Sequence, residues 1–598
     1  MHRLFCLIIT SATIIGGFYG PALAQVDESA QSIRQAFENE TINRETKVLY
    51  QLYAGLQVEK LPAAYQSPQA DQPIKCGTPP LMEYHQHSNE FSATAARQIE
   101  QMVGNTQAQQ QQTYNSPSGQ FVVMYATSGP DAVPTGDTNA NSVPDYVEVT
   151  AQAADSSWNH QVNTLGFSNP VVGSTDPYPI FIEDLGATGF FGFTSTGANR
   201  GFFNSTFIVI NSQLDEPDFT NNDDQNPTEG AVKVTVAHEL KHAVQFANSQ
   251  WYSVPENNGP HSLDWAEMDA TFMEEVVYDN VNDYYNYIDG SESIFLDNVH
   301  TLPVAYSGVS WFIYFMEQLE TQFWVDVWDR IRQRFAQQQG RPNPDFLSML
   351  GAITQTLNET YDQSLDDVFT LSHLWHYASG AKAAPDFGFS ERNNYPTPHI
   401  NYRLAPIDSL RASGQRISPL SAEYVEVEAS NIASDNVRVN LSSSASAGLG
   451  LLAYFNDGST DFALGTTSGS NTLELRPGWE WSRINSLAVV AANVHESQSV
   501  TYTLEISSTV PDELRLNPNF PNPFSQSTTI PILLLETADV EVKIYNVAGR
   551  LVETLVDREL PAGLNPISFN ARNLASGVYF YQVVIEGDVR VEKMTIIK

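Results

Sequence analysis

The sequence predicts a multidomain chain, an α+β domain followed by two all-β domains, and three observations carry that expectation. The 598 residues are too many for one core, since roughly 150 residues per domain corresponds to about four segments. Strand-like runs between Gln120 and Ile210 precede a block of helical patterns from Pro227 to about Ser379, the order of an α+β domain. Beyond Pro406 short alternating runs replace the helical ones, as in β-sandwiches.

Composition narrows the function. Hydrophobic residues make up 42% and charged residues 17%, with 33 Pro and 35 Gly, which excludes a collagen-like or wholly disordered chain. Lys and Arg number 30 against 69 Asp and Glu, a formal charge of -39. A surface that acidic repels phosphate backbones and anionic lipid, so no nucleic-acid partner is expected. Excess carboxylate with little lysine fits a soluble protein working outside the cell.

The N-terminus agrees. Met1-His2-Arg3, the apolar run Leu4 to Ile15 and Ala22-Leu23-Ala24 have the parts of a signal peptide over residues 1–24, cleaved between Ala24 and Gln25. The apolar run is too short to span a bilayer, and no later segment reaches about 18 apolar residues, so no transmembrane segment is expected. Cys6 leaves with the signal and Cys76 remains as the mature chain's single cysteine. Neither an intramolecular disulfide nor a cysteine-rich zinc site can then form.

Residues 25–117 read as a polar helical segment and a candidate pro-region. Its pattern is helical over Ser32 to Tyr53, broken over Leu61 to Pro80, and ends in a glutamine-rich linker, Asn105 to Gly119. The α+β domain follows over residues 118–405. Strands are expected at Gln120 to Tyr125, Tyr178 to Glu183 and Thr206 to Ile210, and the helical block breaks at Gly340 and near Asn358.

Within that domain, His238-Glu239-Leu240-Lys241-His242 is the main chemical signal, with about 0.01 occurrences expected by chance. Asn226, Pro227 and Glu229 mark a helix start, so a helix to about Ala247 places His238 and His242 at i and i+4 on one face. Two imidazoles so placed can share one zinc ion, with Glu239 beside them as general base. A catalytic zinc needs a third protein ligand. Gln245 and Asn248 stand where a third histidine would be, which excludes that subclass. Glu267 and Glu274 on the next helix are the candidates; Glu267 has a rival role in a capping box with Asp264.

His238 to Phe246, with Trp265-Ala266-Glu267, Ala270-Thr271 and Glu274, resembles a family of secreted bacterial metalloproteases of the glutamate-zincin type, over roughly residues 118–330. The resemblance implies a zincin-like catalytic fold and Glu267 as third ligand, although Met268 stands where glycine is usual. Tyr306-Ser307-Gly308 opens a further helix, Val309 to Leu319. Tyr306 resembles the tyrosine with which glutamate-zincins stabilise the oxyanion; the alternative is a buried structural tyrosine.

Asp137, Asn139, Asn141, the Val143 carbonyl, Asp145 and Glu148 fall at positions 1, 3, 5, 7, 9 and 12 of a twelve-residue calcium loop. Ser142 replaces the usual glycine at position six. The alternative is a polar turn capping the helix that starts near Pro144. His85-x-His87 and His373-x-x-His376 lack accompanying carboxylates and are expected to be ordinary histidines.

Residues 406–508 are expected to form a β-sandwich from Tyr424 to Val427, Val437 to Leu441, Leu451 to Phe455, Leu473 to Leu475, Leu487 to Val490 and Tyr502 to Ile506, with a turn at Asn456-Asp457-Gly458. No chemical constellation lies on it, which suits an accessory or spacer module. Residues 509–598 are a further immunoglobulin-like β-domain. Asn519-Phe520-Pro521-Asn522-Pro523-Phe524, Tyr545-Asn546-Val547-Ala548-Gly549-Arg550, Leu560-Pro561-Ala562-Gly563 and Gly577-Val578-Tyr579-Phe580-Tyr581 resemble the type IX secretion C-terminal sorting domain. That implies passage through the periplasm and type IX machinery to the cell surface or medium.

The expectation is therefore a secreted zinc-dependent metalloendopeptidase acting on proteins or peptides, carrying structural calcium. The alternative is a surface-attached adhesion protein on an inactive zincin scaffold, against which the intact Glu239 argues. Lys75-Cys76-Gly77-Thr78-Pro79 also resembles the cysteine-switch segment of zinc proteinases, which implies a thiolate in the open metal position. A lone buried cysteine acting as a small apolar residue is the competing reading.

Overall fold

A computed structural model describes residues 28–66, 74–104, 112–171, 176–187, 189–196, 206–215, 221, 223, 226–247, 262–290, 293–297, 300–338, 341, 345–404, 409–428, 436–467, 471–507, 519, 522–534, 537–561 and 563–598. The signal peptide, most of the glutamine run, Gly340 and Asn248 lie outside the described residues.

Where the sequence reads as one helix from Ser32 to Tyr53, the chain forms α1 (Glu28–Glu38) and α2 (Arg44–Leu56). Asn43 separates them by capping α2, its side chain accepting the Thr46 N–H at 2.9 Å. Next come β1 (Ile74–Cys76), α3 (Thr78–Gln86), α4 (Ala93–Val103), β2 (Gln112–Asn115), β3 (Phe121–Tyr125), α5 (Asp145–Trp158), β4 (Tyr178–Glu183), β5 (Phe190–Thr196) and β6 (Thr206–Asn211). They build a six-stranded sheet in the order β1-β5-β6-β4-β3-β2. Strands β3, β4 and β6 are parallel to one another, β2 is antiparallel to β3, and β5 is antiparallel to β6.

Three of these strands depart from the sequence reading. Strand β2 occupies the end of the expected linker, and β1 lies inside the expected break at Leu61 to Pro80. Strand β5 shows no alternation because both of its faces are covered. Phe190 and Phe193 pack with the N-terminal helices, and Phe191 packs with α5 and the next helix, α6 (Pro227–Ala247).

Helix α6 begins as its sequence requires. Asn226 Oδ1 accepts the Glu229 N–H at 3.3 Å, and the Glu229 carboxylate accepts from Asn226 Nδ2 at 3.0 Å. Burial runs almost unbroken from Gly230 to Phe246 because the sheet covers one side. Helix α5 and α7 (Ser262–Tyr278) also pack against α6. Then follow α8 (Tyr285–Ile288), α9 (Val309–Leu319), α10 (Gln322–Gln338), α11 (Met349–Thr356) and α12 (Leu365–Tyr377). An aromatic core joins α7, α9 and α10, with Phe312 stacked on Trp324 at 3.7 Å between ring centroids. The break near Asn358 is a wide helical turn over Leu357–Tyr361.

The remaining strands are β7 (Tyr402–Leu404), β8 (Ser409–Ile417), β9 (Ser421–Glu428), β10 (Arg438–Ser443), β11 (Gly448–Phe455), β12 (Thr460–Thr466), β13 (Thr472–Leu475), β14 (Ile484–Asn493) and β15 (Val500–Ser507). Six more complete the chain, β16 (Ser527–Leu534), β17 (Ala538–Asn546), β18 (Leu551–Leu560), β19 (Gly563–Asn570), β20 (Gly577–Ile585) and β21 (Asp588–Ile596). The turn at Asn456-Asp457-Gly458 joins β11 to β12, a strand whose alternation is too weak to read, and Gly458 takes φ 86° there.

The two β regions keep separate hydrophobic cores, over residues 404–506 and 524–596, but share a sheet. One sheet runs β13-β10-β15-β8-β19-β16 and so crosses from the accessory region into the C-terminal region, through the parallel pair Leu564 and Ala412. The free edge of β8 is covered in this way, a junction that periodicity cannot announce. The other two sheets are β12-β11-β14-β9-β7 and β18-β17-β20-β21. Among the described residues no helix is long and apolar enough to cross a membrane.

Candidate metal centre

His238 and His242 project from one face of α6 toward α7, their ring centroids 4.8 Å apart. His238 Nδ1 lies 2.7 Å from Glu274 Oε1, and His242 Nδ1 lies 2.8 Å from Gln245 Oε1. Acceptors at both Nδ1 positions place the protons there and leave each Nε2 with a lone pair. The two Nε2 atoms face each other at 3.1 Å. Glu267 completes the convergence, Oε2 at 3.3 Å from His238 Nε2 and Oε1 at 3.1 Å from His242 Nε2.

Neither Glu267 oxygen is paired with a hydrogen-bond donor, although the residue is 2% exposed. The capping box with Asp264 is therefore not formed, and those distances become ion pairs only if an imidazole takes an extra proton. Cys76, 4% exposed, supplies the fourth corner. One donor atom each from Cys76, His238, His242 and Glu267 lies within 4.8 Å of every other, and Cys76 Sγ is 3.4 Å from His242 Nε2.

Buried lone pairs that converge without protons between them are costly. A tetrahedral zinc with bonds of about 2.0–2.1 Å to nitrogen needs ligand atoms about 3.3–3.4 Å apart. The observed nitrogen and oxygen separations of 3.1 to 3.3 Å fit that ion, and so does the donor chemistry. Electrostatics agree. Burial works against a charge on His238, yet the Glu267 and Glu274 carboxylates beside it raise its pKa to about 10, so the site draws positive charge to this point. Burial and the Glu239 and Glu267 carboxylates push the Cys76 thiol up, so a thiolate there requires a cation among the four.

Glu239 is fully buried beside the cluster. Its Oε1 lies 3.2 Å from Cys76 Sγ, and its Oε2 accepts from Thr78 Oγ1 at 2.9 Å and from Thr194 Oγ1 at 2.8 Å. Tyr306 sits where the sequence suggests, just before α9, its ring centroid 6.2 Å from that of His238. Its backbone has φ 44°, a region that costs a bulky residue on the order of 1–3 kcal/mol. Burial first, and then the Glu267 carboxylate, hold its hydroxyl well above the usual tyrosine range, so it stays a protonated donor.

The supporting residues escape sequence reasoning. Glu274, a candidate ligand in the sequence, stands behind His238, and its other oxygen accepts from Lys75 Nζ at 3.0 Å. Lys75 also donates to Asp283 at 2.5 Å. Burial opposes that ammonium, but Asp283 and Glu274 outweigh it and raise its pKa. Gln245 Nε2 donates to Asp269 Oδ2 at 2.8 Å, and Lys241 Nζ is 3.4 Å from Asp269 Oδ1. The one signal available was spacing, since Gln245 lies at i+3 from His242.

The histidines of the two other spaced pairs each have a local partner at one ring nitrogen. His87 lies 3.1 Å from Glu90, and His85 lies 3.5 Å from Ser195 Oγ. His373 lies 2.8 Å from the Tyr424 hydroxyl, and His376 lies 2.9 Å from Ser310 Oγ.

The loop from Asp137 to Glu148 is folded tightly, with Ala140 and Ser142 at φ 58° and 71°. Asp137 accepts the N–H groups of Asn141 and Ser142 at 3.2 and 2.9 Å, and Asp145 accepts the Thr138 N–H at 3.0 Å. Val143 donates its N–H to Asn141 Oδ1 at 2.8 Å. Glu148 accepts from the side chains of Asn139 and Asn141, both at 2.7 Å. An ion there requires both amides to turn so that oxygen replaces nitrogen.

Comparisons with known proteins reach the C-terminal part most clearly. PorZ, a surface component of the type IX secretion system of Porphyromonas gingivalis, is 22% identical over 16% of this chain and 14% of its own, with TM-score 0.12. A β-glucuronidase from Bacteroides uniformis is 14% identical over 31% of this chain and 26% of its own, with TM-score 0.11. A β-1,2-glucanase from Parabacteroides distasonis is 6% identical over 32% and 37%, with TM-score 0.13. The chain thus spans 14% to 37% of the length of these structures. No curated protein matches the chain. Residues 519–598 match the family described as the secretion system C-terminal sorting domain, and this tail directs the chain through type IX secretion to the cell surface or extracellular space.

Proposed function

We propose that the chain is an exported zinc-dependent metalloendopeptidase with a zincin-like catalytic domain, hydrolysing peptide bonds in proteins or peptides. One observation carries the reading. Two imidazole Nε2 atoms and a doubly unpaired glutamate converge within 3.3 Å in a buried site, with a glutamate next to the first histidine. His238, His242 and Glu267 would hold the ion, which supplies a Lewis acid that polarises the scissile carbonyl and acidifies water.

The rest belongs to the chain. Glu239 takes the proton of the attacking water and hands it to the leaving amine. Tyr306, kept protonated, donates to the oxygen on which negative charge develops. Glu274 and Gln245 hold the two imidazoles in their Nδ1–H tautomers. The test is casein hydrolysis by the protein that cells release. A chelator should abolish it and added zinc restore it, and hydrolysis indifferent to the chelator would overturn the reading.

We also propose structural calcium at Asp137, Asn139, Asn141, Val143, Asp145 and Glu148. Oxygen donors at alternate positions of one tight loop support it. Calcium at 100 times its dissociation constant should stabilise the fold by about 2.7 kcal/mol. The melting temperature should rise with calcium in the parent and stay flat in the Asp137→Ala, Glu148→Ala double variant. A calcium-independent melt of the parent would leave only a polar turn.

A further inference from the structure

We infer that the intact chain keeps its metal site closed, with Cys76 as a fourth protein ligand, and that Lys75 to Thr78 form a plug making the chain latent. The inference rests on the metallopeptidase reading and concerns regulation of that same site.

Three side chains of the plug each occupy one part of the machinery. Cys76 fills the corner where water and the attacked carbonyl must sit, and the Thr78 N–H points at its sulfur at 3.3 Å. Thr78 Oγ1 donates to one oxygen of Glu239 at 2.9 Å, and Cys76 Sγ stands 3.2 Å from the other, in the space the attacked water needs. Lys75 reaches past them to Glu274, the carboxylate that orients His238. All three plug residues are buried.

The backbone carries the same message. Strand β1 is the end strand of the sheet, parallel to β5 with Cys76 opposite Gly192. Ile74 N–H donates to Gly189 O at 3.0 Å and Gly77 N–H to Gly192 O at 2.9 Å. Gly77 and Gly55 clasp the Phe190 ring, since a Cβ at either would lie 2.7 or 2.2 Å from it.

The geometry also says what opens. Val48, Leu52, Leu81, Tyr84, Ile99 and Val103 of the N-terminal helices share a core with Phe181, Phe190, Phe193, Phe207 and Val209 of the sheet. Loss of the whole segment would bare those phenylalanines to water, a large apolar patch. Opening is therefore a local displacement of β1, which breaks the metal–thiolate bond together with the Lys75, Thr78 and backbone contacts of the plug.

Cobalt(II) in place of zinc tests this without reference to turnover. The full chain should bind one cobalt and show thiolate-to-cobalt charge-transfer absorption in the near ultraviolet. Cys76→Ser should bind one cobalt without that absorption. Its zinc form should hydrolyse peptide at least about tenfold faster than the parent, the factor expected when a closed state holds about 90% of the molecules. Cys76→Ala, which adds no polar atom, should behave alike and guards against a folding defect of serine. Cobalt bound by the parent without the thiolate absorption would overturn the inference and leave the metallopeptidase reading standing. So would variants no faster than the parent. Cobalt bound by neither parent nor variants would overturn the metallopeptidase reading itself.

Discussion

Glu239→Gln, placed in a Cys76→Ser chain so that the site is open, is expected to slow peptide hydrolysis by about 10²–10⁴-fold with the zinc content unchanged. Glutamine keeps the shape of the side chain and can still accept from Thr78 and Thr194, but it cannot take a proton from water. It touches no Nε2 atom, so the ion stays. Glu267→Ala should do the reverse and strip the metal, because its two oxygens lie against both Nε2 atoms at the point of convergence. Glu274→Ala should weaken metal binding by about 10–100-fold, as loss of a partner behind a ligand histidine does. Metal content and hydrolysis rates measured on the three variants decide the matter. Unchanged hydrolysis in Glu239→Gln would refute the mechanism, and metal loss in Glu274→Ala alone would refute the ligand assignment.

Deletion of residues 519–598 should abolish appearance of the protein in the medium and leave it in the periplasm. That segment is the part that matches a sorting domain, and it lies apart from the α6 and α7 side chains that converge on the cluster. Among the described residues it pairs with the accessory region through β8 and β19, so the deletion bares the edge of β8 but removes no residue of the metal cluster. Immunoblots of medium and periplasm, with zinc content measured on the retained protein, check both halves. Normal secretion of the truncated chain would contradict the sorting role.

What the sequence disclosed follows from range. Helix α6 was legible because its start signals, its length and the His-Glu-Leu-Lys-His spacing all lie within 21 residues. The same holds for α9, which opens where Tyr306-Ser307-Gly308 suggests. Strand β4 was legible at its ends, because a short apolar run bounded by polar residues suffices. Strands β1 and β5 were not, since β1 is three residues long and exists only through pairing with a partner more than 110 positions away. Strand β5 buries both faces and so lacks a period of two.

The metal cluster divides in the same way. His238 and His242 follow from one helix face with Glu239 beside them, while the choice of Glu267 over Glu274 on the next helix came from the family resemblance. Lys75, Thr78 and Thr194 reach the site only through the closure of the sheet. Cys76 stood out in the sequence by its neighbours, yet only the fold brings its sulfur to His242. The joining of the accessory and C-terminal regions through β8 and β19 has no local trace at all.

The most direct measurement is an anomalous-scattering map at the zinc absorption edge from crystals of the full chain. The account predicts one peak enclosed by His238, His242, Glu267 and Cys76, at about 2.0–2.3 Å from each ligand atom. An empty map at that point, with the four side chains ordered around it, would contradict it.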